Sequence, residues 1–178
     1  CKNWNDFGHP EYKVNVNLSV VQLTQSDFLD KLKDVLETSA INPNNLTLEV
    51  TESLAVNDIE WMVSILNAIR DLGCRVALDD FGTGYSSLNL LYDLAIDYIK
   101  IDRKMIIGLN EGGKSEIVLR HMLHMIQEIG MSSVAEGVET ESQLSLLATA
   151  NCTYGQGYLY AKPMPVEVFE QLLDENHR

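Results

Sequence analysis

ALDDFGTGYSS, residues 77–87, is the stretch on which the reading of the fold turns. Small and apolar residues run straight into two adjacent carboxylates, Asp79 and Asp80, and a loop containing Gly82 and Gly84 follows at once. Two like charges at the end of an apolar run repel each other unless something offsets them. Adjacent strand residues point to opposite faces, so both aspartates cannot belong to one inward row. The spacing therefore predicts Asp79 as the last inward residue of a strand and Asp80 as the first residue of a loop that curls over it.

The same pattern recurs along the chain. Apolar runs occur at Tyr12–Asn17, Leu46–Glu49, Arg75–Asp79, Tyr98–Ile101, Ser133–Glu136 and, more weakly, Tyr154–Leu159. Between them Phe28, Leu29, Leu32, Val35 and Leu36 recur at helical spacing, as do Trp61, Met62, Ile65, Leu66 and Ile69, and a third helix is predicted over Ile117–Ile129. Ser26 and Asn57 are candidate N-caps, Thr140 with Gln143 has capping-box spacing, and Gly73 and Gly130 stand where helices should stop. Repeated βα units without a low-complexity linker define one α/β domain.

The strand tips choose between an open doubly wound sheet and a barrel. Asn17, Glu49, Asp79, Lys100, Glu136 and Gln156 stand at or near the ends of the six runs. Parallel barrel strands bring all their C-terminal ends to one face, where those tips converge, whereas an open sheet strings them along an edge. A TIM-like (β/α) barrel is therefore predicted, with about six βα units present. An eight-stranded barrel takes roughly 250 residues, so about two N-terminal strands are expected to be missing.

Crowded carboxylates at such a mouth require a cation. Oxygen donors without His or Cys favour Mg²⁺ or Mn²⁺ over Zn²⁺. A lone Asp at a strand end is more often a cap or a solvated charge, and it is the series that points to a metal site. Lys100, inside DYIKID, is either a snorkelling surface lysine or a point charge for phosphate or water. Ile99 and Ile101 are expected to face the helix layer instead, and Asp102 shares the face of Lys100, with which it is expected to pair and where it is expected to help position substrate or water. His121 and His124 lack a third ligand and read as a solvated face, and Met122 and Met125 as packing residues.

The chain has 178 residues, of which 46% are apolar, and its formal charge is -13 from 26 acidic and 13 basic residues. That charge argues against binding to nucleic acid polymers or anionic membrane surfaces. Cys1, Cys74 and Cys152 form no CxxC pair, and an odd count suits free thiols in a reducing, cytoplasmic compartment. No apolar stretch approaches a membrane span.

Together, VNVNLS (14–19), LEVTES (48–53), LDDFGTGYSSL (78–88), YIKID (98–102), AEGVET (135–140) and GQGYLYAKPMP (155–165) resemble the EAL family of cyclic di-GMP phosphodiesterases. The resemblance implies hydrolysis of cyclic di-GMP to linear pGpG with two Mg²⁺ or Mn²⁺ ions. It implies metal ligation by Asn17, Glu49, Asp79 and Asp80, a water-holding Lys100, and a Glu136 that is metal ligand or general base. Gln156 would position water or substrate, Glu52 would anchor the DFGTGYSS loop, and Glu139 would support the site.

Two departures stand out. Met105 occupies a position where the family often carries an aromatic, and altered packing is expected there. The Glu-Ala-Leu motif is absent from the 178 residues. Residues 1–178 are thus expected to be the C-terminal part of an EAL domain, inactive alone, from an active parent fused to sensory or cyclase-like domains. A homodimer is expected, with exchanged elements in the fragment. The competing reading is a cyclic di-GMP receptor that binds without cleaving.

Overall fold

The computed structural model describes residues 1–51, 59–82, 88–109 and 112–176. Six parallel strands form a curved sheet in chain order: β1 (Val14–Asn17), β2 (Leu46–Thr51), β3 (Arg75–Phe81), β4 (Tyr98–Ile101), β5 (Ser132–Glu136) and β6 (Tyr154–Gln156). The strands and their crossover helices make a half-barrel, with β1 and β6 at its two edges.

Alternation along the strands divides the sheet into two faces. Leu48 and Val50, Val76 and Leu78, and Ile99 and Ile101 are buried on the convex side. Helix α4 (Ile59–Asp71) covers part of that side with Met62, Leu66 and Ile69, and α7 (Lys114–Glu128) covers more with Leu119, Leu123 and Ile126. Both triplets fall at i, i+4 and i+7, which is one stripe of a helix. Each such fully buried side chain contributes about 1.5–3 kcal/mol. Ile99 and Ile101 therefore face the helix layer, as their alternation with Lys100 predicts, and Met122 and Met125 pack against the same core.

The other α-helices among the described residues are α1 (Lys2–Asp6), α2 (Val20–Leu23), α3 (Phe28–Ser39), α5 (Leu88–Asp93), α6 (Arg103–Ile107), α8 (Glu141–Thr149) and α9 (Val166–Asn176). Thr140 and Gln143 form the predicted capping box, and a second, Ser19 with Gln22, opens α2. Gly73 and Gly130 follow their helices at φ +88° and +80°. Ser26 does not cap α3. Asp27 takes the N-cap position, and its carboxylate pairs with Lys31 one turn on. Asn57 lies outside the described residues.

The predicted bounds shift at five strand ends: β2 runs on to Thr51 and β5 begins one residue early, at Ser132, while β1 begins at Val14, β6 stops at Gln156, and β3 runs on to Phe81. Asp80 is thus inside β3 and not the first loop residue. At the opposite ends of the strands Asp97 ties β3 to β4: its carboxylate accepts from Arg75 and from the Val76 N–H, both at 2.9 Å. Across the concave side α1 meets α9, where the Trp4 and Phe169 ring centroids are 5.3 Å apart and the Trp4 indole donates to Glu170.

Candidate active site

The C-terminal strand ends carry the predicted polar residues on the concave face. β1 and β2 are in register at Asn17 and Glu49, and β5 and β6 at Glu136 and Gln156. Between β3 and β4 the register slips between Leu78 and Phe81. Asp80 causes the irregularity, with φ at +59°, in the left-handed region that costs an ordinary residue about 1–2 kcal/mol. The kink breaks strict alternation, so Asp79 and Asp80 both reach the mouth. Their ligand atoms and one from Glu136 all lie within 4.8 Å of one another.

Lys100 is at the centre. Its ammonium is 2.7 Å from Glu49, 2.8 Å from Glu136 and 3.1 Å from Asp79. Its side chain is 5% exposed, which rules out the snorkelling reading. An ammonium has three protons, and here three carboxylates surround it. Burial disfavours its charged form, but the hydrogen bonds to Glu136 and Glu49 outweigh burial and raise its pKa. Glu136 is raised as well, first by burial and then by Asp79 and Glu49, against the pull of Lys100. Burial, Asp79 and Asp102 raise Asp80. Lys100 and Lys104 pull the Asp80 pKa the other way without cancelling the rise.

The outer residues divide into those close to this cluster and those held elsewhere. Asn17 is exposed at the tip of β1, and Gln156 is exposed at the tip of β6. Asp102 does not join the three carboxylates that Lys100 pairs with. It caps α6 by accepting from the Lys104 N–H at 2.8 Å. Glu139 pairs with Arg103, the first residue of that helix. Gly82, at φ +96°, has Met105 Sδ 2.4 Å from where a Cβ would sit, so the thioether covers the start of the loop. Glu52, Gly84 and the rest of the loop from 83 to 87 lie outside the described residues.

One participant was legible but missed. Asn15 donates to Glu49 Oε1 at 2.8 Å, and its position two residues before Asn17 puts it on the same strand face. The VNVN alternation carried that signal. His121 and His124 take no part: among the described residues, Asp79, Asp80 and Glu136 form the group able to hold a metal. That donor set, being all carboxylate, fits a hard divalent cation.

Below the cluster the concave face opens into a cavity of about 590 Å³, lined by Lys100, Asn15, Tyr98, Tyr154, Trp4 and Phe169 among others. No helix among the described residues is long and apolar enough to cross a membrane.

A half-barrel of parallel strands with an acidic cluster at its C-terminal mouth defines a class of protein, and comparison with known proteins places it further. The family profile described as EAL domain matches residues 1–163, and the chain belongs to that family. It is 37% identical over 164 residues to the bifunctional diguanylate cyclase/cyclic di-GMP phosphodiesterase MucR of Pseudomonas aeruginosa, covering 92% of this chain and 24% of that protein. A solved MucR phosphodiesterase in complex with c-di-GMP superposes with a TM-score of 0.88 at 36% identity, over 94% of this chain and 68% of that one. The EAL domain of Mycobacterium smegmatis DcpA gives 0.91 at 33% identity, over 98% and 78%. The chain spans 22–24% of the length of the first curated relatives it matches.

Proposed function

We propose that this chain supplies the metal-binding face of a phosphodiesterase that adds water across one phosphodiester of cyclic di-GMP, breaking a P–O bond to give linear pGpG. The observation that carries the reading is the meeting of Asp79, Asp80 and Glu136 around buried Lys100 at the mouth of an EAL-family barrel.

Asp79, Asp80, Glu136 and Glu49 would hold Mg²⁺ or Mn²⁺, with Asn17 at the rim. Divalent cations bound there would neutralise the acids, lower the pKa of water and offset charge on the phosphate. Glu136 would act as a metal ligand or as the group that takes a proton from the attacking water. Gln156, beside Glu136 in register, would orient substrate or water. Glu139, paired with Arg103 at the start of α6, would support the site from the end of β5.

We infer that the chain is the C-terminal part of its domain and is inactive, or nearly so, alone. The edge positions of β1 and β6 support this, as does the 68% and 78% coverage of the solved relatives. Three free cysteines support a cytoplasmic setting.

Incubating cyclic di-GMP and Mn²⁺ or Mg²⁺ with this chain, and with one extended N-terminally, tests the reading by chromatography. pGpG is expected from the extended form. An extended form that binds cyclic di-GMP but leaves it intact with either ion is a receptor, and the hydrolase reading is lost.

A further inference from the structure

Lys100 is saturated by the very acids that the proposed metal site needs. Its ammonium contacts Glu49 Oε2, Asp79 Oδ1 and Glu136 Oε1. The other Glu49 oxygen accepts from Asn15, and Asp79 Oδ1 also accepts from the Asp80 N–H at 2.9 Å. Among the described residues no other lysine or arginine pairs with these acids. An ammonium and a divalent cation cannot both take these oxygens at close range without strong repulsion.

We propose that Lys100 is a tethered counter-cation that competes with divalent metal for the acid cluster. In the metal-free protein it holds three strands together at their tips: β2 through Glu49, β3 through Asp79 and β5 through Glu136. Metal loading draws Asp79 and Glu136 away from it. The lysine thereby preserves the site's geometry before metal arrives and lowers the affinity for metal. This rests on the reading of the cluster as a metal site, but the lysine's tethering of the strands does not.

The test uses Lys100→Met, which keeps an unbranched stem and removes the charge. Calorimetric titration with Mn²⁺ should give a dissociation constant at least tenfold lower than in the wild type, with a lower Tm in EDTA and a larger Tm rise on adding Mn²⁺. Equal or weaker Mn²⁺ binding by the folded variant overturns the competition. If the variant is unfolded in EDTA, Mn²⁺ should restore its circular dichroism, and no recovery overturns it equally.

The wild type gives an independent measure. With ¹⁵N-labelled lysine, Mg²⁺ should shift the protected Lys100 ammonium resonance, and a resonance unmoved once the calorimetric isotherm saturates contradicts the proposal. If neither protein binds Mn²⁺, the metal reading is what fails. Lys100→Met/Glu136→Gln then decides the tether: its Tm in EDTA should exceed that of Lys100→Met, and a Tm at or below the single variant's refutes it.

Discussion

Gly157→Ala isolates how the end of β6 is held against the site. A Cβ at Gly157 would stand 2.2 Å from the Val138 carbonyl oxygen and 2.3 Å from the Val138 nitrogen. These are backbone atoms, so no side-chain rotation relieves the clash, and β6 must move away from the end of β5. Two hydrogen bonds are at stake: Val138 N–H to Gln156 O at 3.0 Å, and Leu159 N–H to Val138 O at 2.9 Å. Losing both costs about 1–3 kcal/mol, against a total stability on the order of 5–15 kcal/mol. For a domain of this size that lowers Tm by roughly 2–12 °C.

Gly155→Ala is the internal control. Its Cβ would meet the Tyr160 hydroxyl at 2.6 Å, the far end of a half-exposed side chain that can swing aside. Differential scanning calorimetry of both variants is the assay. Gly157→Ala should be clearly the less stable, and a Gly155→Ala loss equal to or greater than that of Gly157→Ala would refute the reasoning. In the extended chain Gly157→Ala should also lower turnover, because Gln156 moves with the strand end.

Other perturbations probe separate parts of the account. Ala40 ends α3 exposed at φ +52°, so Ala40→Gly should stabilise by about 0.5–1 kcal/mol in urea denaturation. Cys74 is 2% exposed and burial pushes its thiol pKa up, so Ellman's reagent should react with Cys1 and Cys152 well before Cys74. The Arg103–Glu139 pair is largely solvent-exposed, so Arg103→Ala should change stability by no more than about 1 kcal/mol, with its larger effect on turnover of the extended chain.

Much of the site was legible because a polar residue at the end of an apolar run has few structural reasons to be there. Glu49, Asp79, Lys100 and Glu136 stood out on that ground and meet in space. Local geometry was less legible. Asp80 reaches the mouth through a left-handed kink within β3, and nothing in a pair of aspartates tells a kinked strand from a loop. Ser26 lost the α3 cap to Asp27, whose carboxylate gains Lys31 as a partner. Contacts between distant segments were invisible to periodicity. Trp4 on Phe169 is one, and the gathering of three carboxylates on one ammonium, each from a different strand, is another.

The most direct measurement is turnover of cyclic di-GMP by the N-terminally extended chain in saturating Mn²⁺, comparing the wild type with Asp79→Asn. Asparagine keeps the shape of the side chain and removes the negative charge that the metal site needs. Loss of pGpG formation by about 100-fold or more, with the fold intact by circular dichroism, is the predicted result. A variant that still cleaves within a few-fold of the wild-type rate would contradict the assignment of the strand-tip acids as a metal centre.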